Sequence, residues 1–462
     1  MLATPELSSF GEEHFGAAKV GHKKRLACLV KLADQLQRHP GGTLPNKLSN
    51  PNHYRSMMNM VNRPEITHAS VLEAHRQRTF RLMNEVEGPE VLLIHDGTVL
   101  DYTSLLSLAG DLGPVGNGQG RGYLCHNSLA VDPQSRQVLG LANQILHRCD
   151  EVPKNEGTEA KRLRESRESR LWTTAVQQIG AVAPDKVVID ICDRGADIFE
   201  FLAWEVKQKR HCVVRSSHNR SLLLAEDSAE PVYLHDYART LPTRGQKTIT
   251  VHGRDGDLDR KATVNVSAAQ VTIKPPHVRR GDYDKEPLTL WVVRVWEENP
   301  KEGEGVEWLL LTTEAADNAT KAWKVVSWYE IRWIDEEYHK AQKTGCNVED
   351  MQFTTTGALE PAIAILSVVA TTLLNLRSMS RQPEAKTLSA TTIIDADYVE
   401  VLSQWRFKEK RDLTIHEFFF ALARLGGHQN RKGDGHPGWL VLWRGWMKLQ
   451  MLQIGYEIRR QS

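Results

Sequence analysis

The order in which short apolar strands and helical stretches follow one another through the middle of the chain constrains its fold most. Val91-Leu-Leu-Ile94 reads as a short buried strand that ends at Asp96. Tyr123 to Val131 and Val138 to Ile145 are two further strands, joined by the turn residues Asp132-Pro133-Gln134-Ser135. Helix-favouring residues from Ala160 lead into Leu171 to Ile179, and Lys186 to Cys192 is a fourth strand, ending at Asp193. Ile198 to Lys207 reads as a helix and His211 to Arg215 as a fifth strand. Asp96 and Asp193 therefore each follow an apolar strand, and if those strands are neighbours the two carboxylates emerge together.

Three strands, helix, strand, helix, strand is the order of a ribonuclease-H-like α/β core. The stretch 217–306 interrupts it with short β-like pieces: Thr248 to Val251, Ala262 to Val266, Val271 to Lys274 and Leu288 to Val295. It reads as an all-β insertion, with Trp308 to Thr313 as a returning strand. The expected organisation is a helical N-terminal domain over 1–80, a catalytic domain over 81–380 that carries the insertion, and a helical C-terminal domain over 381–462. Breaks at Pro40-Gly41-Gly42 and Asn50-Pro51-Asn52 punctuate the first of these. In the last, Gly426, Gly427, Gly433 and Gly435 precede Trp439, Trp443 and Trp446, a tryptophan stripe suited to dimer or helix packing.

At 462 residues the chain can fill two or three cores. No apolar run reaches the ~18 residues of a membrane span, and Ala362 to Leu374, broken by threonines, reads as a core helix. Cysteines 28, 125, 149, 192, 212 and 346 form no CxxC pair, which argues against a zinc ribbon or disulfide framework and fits a reducing cytoplasm. The net charge of +1 hides an uneven distribution. Residues 1–80 carry 11 Lys+Arg against 6 Asp+Glu (11 − 6 = +5), and residues 239–285 carry 10 against 5 (10 − 5 = +5). Two basic segments suit a protein that grips a polyanion in several places.

The stretch Ser327 to Asn347 places Tyr329, Arg332, Glu336 and Lys343 at offsets of 3, 7 and 14 residues. On an α-helix these fall at about 300°, 340° and 320° from the tyrosine, one narrow stripe. With Asp96 and Asp193, Glu336 would make three convergent acids, a set that repels itself unless cations neutralise it. All-oxygen donors suit Mg²⁺ or Mn²⁺ rather than zinc. Asp101, Asp190 and Asp197 are competing acids nearby, the last expected in the first turn of a helix. His95 and His339 are expected as hydrogen-bonding neighbours.

Tyr-x2-Arg-x3-Glu-x6-Lys resembles the YREK signature of a family of bacterial cut-and-paste DDE transposases encoded by insertion sequences. The surrounding IRWIDEEYHKAQKTG is similar to that family's catalytic helix, Cys192-Asp193-Arg194-Gly195-Ala196-Asp197 to its second-Asp motif, and Leu92-Leu-Ile-His-Asp96 to its first. Ala423-Arg-Leu-Gly-Gly427 and Trp439 to Trp446 resemble its terminal domain. The resemblance implies a DDE triad of Asp96, Asp193 and Glu336 that holds two Mg²⁺ ions, with Mn²⁺ as a substitute. It implies nicking at a transposon end, hairpin formation by the freed 3′-hydroxyl, hairpin hydrolysis and strand transfer to target DNA. Tyr329, Arg332 and Lys343 would hold phosphates, Trp308 would stack on a flipped base, and Arg215 would contact DNA. A homodimer bridging two terminal repeats in the bacterial cytoplasm, associated with the nucleoid and not the membrane, is the implied working form. A non-catalytic DNA-binding inhibitor and a stand-alone metal-dependent nuclease of the same fold are the alternatives. Retention of all three acids and of the basic N-terminal segment speaks against the inhibitor.

Overall fold

The computed structural model describes residues 9–461 apart from 40, 49, 153–154, 158–159, 161–163, 224–230, 252–259, 277–284, 299, 301–304, 382, 432–433 and 435. Pro40, Gly433 and Gly435 of the expected turns, and much of the second basic segment, lie outside the described residues.

Among the described residues, ten strands form one mixed sheet in the order β2-β3-β1-β5-β6-β10-β9-β8-β7, with β4 paired to β3. They are β1 (Glu90–Asp101), β2 (Gly113–Val115), β3 (Gly120–Val131), β4 (Val138–His147), β5 (Val187–Cys192), β6 (His211–Arg215), β7 (Gly245–Val251), β8 (Arg260–Ile273), β9 (Leu288–Glu297) and β10 (Glu307–Thr312). β1, β3 and β4 form an antiparallel meander, while β5 runs parallel to β1 and β6 parallel to β5. The sub-order β4-β3-β1-β5-β6 is compatible with a ribonuclease-H-like core. Leu92, Leu93, Ile94, Ile189 and Ile191 are fully buried, so the central strands read as unbroken apolar runs because both faces are covered.

The segment expected as an insertion does not stand apart as its own sheet. β10 pairs antiparallel with β6, and β9, β8 and β7 continue the same sheet outward. The separate pieces read at Ala262 and Val271 are one strand, because adjacent Ser267 and Ala268 between them are both buried, one on each face of the sheet. Nor is this region wholly β: Leu234–Thr240 is a helix that buries Leu234 and Ala238.

Among the described residues, five helices precede the sheet: Phe10–Phe15, Lys23–Arg38, Leu44–Lys47, Pro51–Val61 and His68–Glu85. The last begins at a capping box, with the Thr67 hydroxyl accepting from Ser70 N at 3.1 Å and the Ser70 hydroxyl from Thr67 N at 2.9 Å. It runs across residue 80, where a boundary was expected, and packs on β4 and on the helix Thr356–Arg381. That long helix holds an apolar stretch, Thr356–Asn375, longer than the sequence reading allowed and sufficient by length and composition to cross a membrane. Its most apolar window is 83% buried inside the protein, so it serves as the central core helix. Its interior threonines do not break it, because Thr371 and Thr372 return their hydroxyls to the carbonyls of Val368 and Val369 at 2.7 Å. Helices Ala396–Phe407, Ile415–Leu425 and Trp439–Gln461 follow. Trp439, Trp443 and Trp446 are buried within this group, Trp446 lying 5.2 Å from the Tyr398 ring, so the stripe packs helices inside one chain.

Candidate active site

β1 and β5 are parallel with His95 opposite Cys192. The next residues, Asp96 within β1 and Asp193 just past the end of β5, therefore stand side by side on neighbouring strands about 4.8 Å apart, and β1 runs on to Asp101 where the sequence reading ended it at Asp96. Backbone amides orient both: Asp96 Oδ1 accepts from Gly97 N at 2.8 Å, and Asp193 Oδ1 from Gly195 N at 2.7 Å.

The helix expected to run straight from Tyr329 to Lys343 comes in three pieces. Ala319–Ile331 ends at Arg332, Trp333–Lys340 continues, and Ala341–Gly345 is a π-helical turn. The stripe holds across the first break. Arg332 Nη1 donates to Asp96 Oδ2 at 3.1 Å, its Nη2 lies 3.5 Å from Glu336 Oε1, and its guanidinium sits 6.0 Å from the centre of the Tyr329 ring. It does not survive the π turn, which widens the helix and changes its register. Lys343 instead pairs with Glu349 at 3.2 Å, and Glu349 also accepts from Asp101 N at 2.8 Å.

The acids feel one another. Burial, then the charge of Asp193, then that of Glu336 push Asp96 up to about 6, against the downward pull of Arg332 and the Gly97 amide. Burial opposes the Arg332 charge, but Tyr329, Asp96, Glu336 and Asp193 outweigh it and hold that guanidinium above its ordinary pKa. One arginine is thus set among all three acids that the sequence singled out.

Beside this cluster lies an aromatic and basic surface. Tyr329 is buried, its ring edge-on to Trp308 with centroids 5.4 Å apart. Burial raises the Tyr329 pKa, while Arg332 and Arg215 draw it down. Arg215 stands opposite Leu310 across β6 and β10, two residues along from Trp308. It lines a cavity of about 240 Å³ together with Arg194, His235, Arg239 and Glu307.

The competing acids have other work. Asp190 is buried in a network with His95 and Arg210. Asp101 turns back on Thr103 N at 2.8 Å. Asp197 is not in a helical first turn, which begins only after Ile198; it is buried, accepts from Ser217 N at 2.6 Å and His218 N at 2.8 Å, and pairs with Arg220. His95 is a hydrogen-bonding neighbour, between Asp190 and Ser128.

Sequence reasoning passed over Asp335. It is fully buried beside Asp96, and Asp96, Asp335 and His339 each offer a ligand atom within 4.8 Å of the others. The signal was its i,i+4 spacing to His339 on a helix whose neighbouring residue already bore a candidate ligand.

Divalent cations fit this donor set. Asp96 is an acid raised by burial and by its acidic neighbours, the donors are mostly carboxylate oxygens, and both Asp335 oxygens are buried without a hydrogen-bond partner. A bound cation would relieve all three conditions.

No family model matches the chain. Among solved structures, a cryo-EM piggyBac transposase synaptic complex with hairpin DNA matches with a TM-score of 0.30 and 9% identity. The match covers 89% of this chain and 61% of that one, so this chain spans less than two thirds of its length. A likeness at that level carries no argument about fold or activity.

Proposed function

We propose that the protein is a DNA transposase of the cut-and-paste DDE type, with Asp96, Asp193 and Glu336 as its catalytic and metal-holding acids. The observation that carries this reading is Arg332 bridging Asp96 and Glu336, at 3.1 and 3.5 Å, beside the strand end that bears Asp193. Acids on two neighbouring parallel strands and on a covering helix, with a guanidinium among them, suit phosphoryl transfer on a polyanion. Mg²⁺ or Mn²⁺ held there would activate the attacking oxygen and stabilise the leaving oxygen of an in-line displacement.

The chain's own residues would divide the remaining work. Arg332, positioned by two carboxylates, would offer its remaining N–H groups to a phosphate. Lys343 supplies a point charge further along the backbone track. Trp308, edge-on to Tyr329, offers a face to a base expelled from the stack when a terminal hairpin closes, an interaction of about 1–3 kcal/mol. Arg215 and the arginine-lined cavity next to it would receive the phosphates of the strained end. These contacts support the sequence of nicking, hairpin formation, hairpin hydrolysis and strand transfer to target DNA.

In this reading residues 1–80 form the DNA-binding region, 81–380 the catalytic domain and 381–462 the surface through which two copies synapse paired terminal repeats, in a bacterial cytoplasm. The test is incubation of purified protein with Mg²⁺ and the terminal repeats of its own element. A hairpin-ended product that Asp193→Ala abolishes is expected. Nicking without hairpins would overturn the transposase reading in favour of a nuclease.

A further inference from the structure

The π turn Ala341–Gly345, which takes Lys343 off the stripe, is followed by a tight reversal of the chain. Asn347 makes that reversal in the left-handed backbone region, at φ 48°, which asparagine tolerates better than most residues with a Cβ. Its side chain reaches in two directions. Asn347 Oδ1 accepts from Gly42 N at 2.9 Å, across 305 residues of chain, and Asn347 Nδ2 donates to Asp350 Oδ2 at 2.7 Å. A backbone N–H can only donate and a carboxylate oxygen only accept, so the two partners fix the orientation of the amide. Gly42 is itself left-handed, at φ 78°, and its carbonyl accepts from the Lys47 ammonium.

Lys47 ends the short helix Leu44–Lys47 and has no exposed surface, a rare place for a lysine. Burial lowers its pKa to about 8, against the upward pull of Cys346 and Asp350. Asp350 is thus joined to Lys47 by charge and to Asn347 by a hydrogen bond. Burying an ammonium costs free energy that a methionine of similar size would not. What the ammonium adds is direction, because it pins the loop whose N–H Asn347 accepts. The short turn Val348–Asp350 also carries the acid that holds Lys343. Glu349 pairs with Lys343 at 3.2 Å and accepts from Asp101 N at 2.8 Å, and Val348 O accepts from the buried Tyr102 hydroxyl at 3.0 Å. One side of the turn is therefore locked to the N-terminal region, and the other to Lys343 and β1.

We propose that Lys47 and Asn347 are positioning residues for Lys343, bracing the turn that follows the helix Trp333–Lys340 so that Lys343 meets a DNA phosphate at a fixed place. Lys47 acts through the turn and not on the nucleic acid, since the chain encloses it completely. The proposal rests on the reading that Lys343 holds a phosphate, and it extends that contact to residues of the N-terminal region.

The test measures the affinity of the full chain for a duplex across a salt series, by fluorescence anisotropy, in three variants. Lys47→Met keeps the side-chain length and removes the charge. Asn347→Gly keeps the left-handed backbone and removes both hydrogen bonds. Lys343→Gln removes the phosphate contact itself. Each is expected to lower affinity about 3–10-fold at low salt and to reduce the slope of log K against log[salt] by about 1, the value of one phosphate contact. Added to Lys343→Gln, Lys47→Met should cost less than about twofold more, because a brace has no effect once the residue it braces is gone. A purely structural Lys47 would lower the melting temperature and leave the slope unchanged, and that result would overturn the proposal. Full additivity in the double variant, an unchanged slope in Lys343→Gln, or an affinity that rises when the turn is loosened would overturn it as well. Should Lys47→Met unfold, Asn347→Gly set against Lys343→Gln decides the matter alone. Hairpin formation on the terminal repeats judges the transposase reading separately.

Discussion

His95 and Asp96 are consecutive on β1, yet they belong to two opposite electrostatic arrangements. Below the site, His95 Nε2 meets Asp190 Oδ1 at 2.9 Å, and its Nδ1 meets Ser128 Oγ at 2.9 Å. Asp190 also accepts from Arg210 Nε at 3.1 Å and Nη2 at 2.6 Å. Glu205, the other acid beside Arg210, is pushed well above the ordinary carboxylate range by burial and by Asp190. The buried layer is thus close to internally balanced. One residue further along the strand, Asp96, Asp193, Asp335 and Glu336 gather around a single guanidinium. Buried charge that serves the fold finds its counter-charge in the same chain, whereas acids in excess point to a counter-charge that arrives from outside.

The comparison predicts opposite signs for similar substitutions. Asp190→Ala strips the carboxylate from Arg210 and His95 and should cost about 3–5 kcal/mol, as breaking one side of a buried pair does. Chemical denaturation of the variant against wild type would measure it, and a loss under 1 kcal/mol would break the contrast. Asp96→Asn should instead stabilise the metal-free protein by about 2–3 kcal/mol at pH 7.5. The sign follows from linkage. Asp96 has a folded pKa of about 6, above its ordinary 3.8, so the folded state binds the proton more tightly. Below about pH 4 both states are protonated and the substitution changes little. Between 4 and 6 the wild type progressively loses stability, and above 6 the full penalty of an ionised Asp96 remains. Asp335, raised well above its ordinary value by burial and by Asp96, acts with the same sign. A pH series of melts should therefore show wild type and Asp96→Asn converging toward pH 4.

Metal reverses the ranking. At a Mn²⁺ concentration 100 times its Kd, wild type should gain about 2.7 kcal/mol. Asp96→Asn should gain almost none, since both donor sets described above share Asp96. Differential scanning fluorimetry with and without chelator would separate the two. An equal gain in both proteins would place the cation elsewhere.

Part of this contrast was legible in the sequence. Apolar runs leading into Asp96 and Asp193 revealed which positions matter, because a carboxylate directly after an apolar run covered on both faces stands out, although β1 itself continues to Asp101. The spacing of Tyr329, Arg332 and Glu336 revealed the shared face, since helical periodicity survives a one-residue break at Arg332. Two things were hidden. The π turn at Ala341–Gly345 depends on how the helix docks against its neighbours, not on local composition, so the register of Lys343 could not be read from an ideal helix. Asp335 was not singled out within its charged run, and its burial beside Asp96 depends on tertiary packing of its helix against β1. That the strands of the all-β stretch continue the central sheet was likewise not readable, because β10 pairs with β6 between residues about a hundred positions apart in the chain.

The smallest expected effect tests whether Lys343 belongs to the site or to the scaffold. Its pair with Glu349 is partly exposed on both sides, so Lys343→Gln should change stability by less than about 0.5 kcal/mol. If Lys343 serves DNA, the same substitution should lower affinity for any duplex and reduce the slope of log K against log[salt] by about 1, the signature of one lost phosphate contact. Arg332→Gln should lower that slope as well, but it also frees Asp96 from its only described guanidinium partner and so should raise the Asp96 pKa further. Measuring both variants by fluorescence anisotropy across a salt series distinguishes the roles. A Lys343 variant that melts several degrees lower yet binds DNA with an unchanged slope would assign this lysine to the fold, on the balanced side of the comparison.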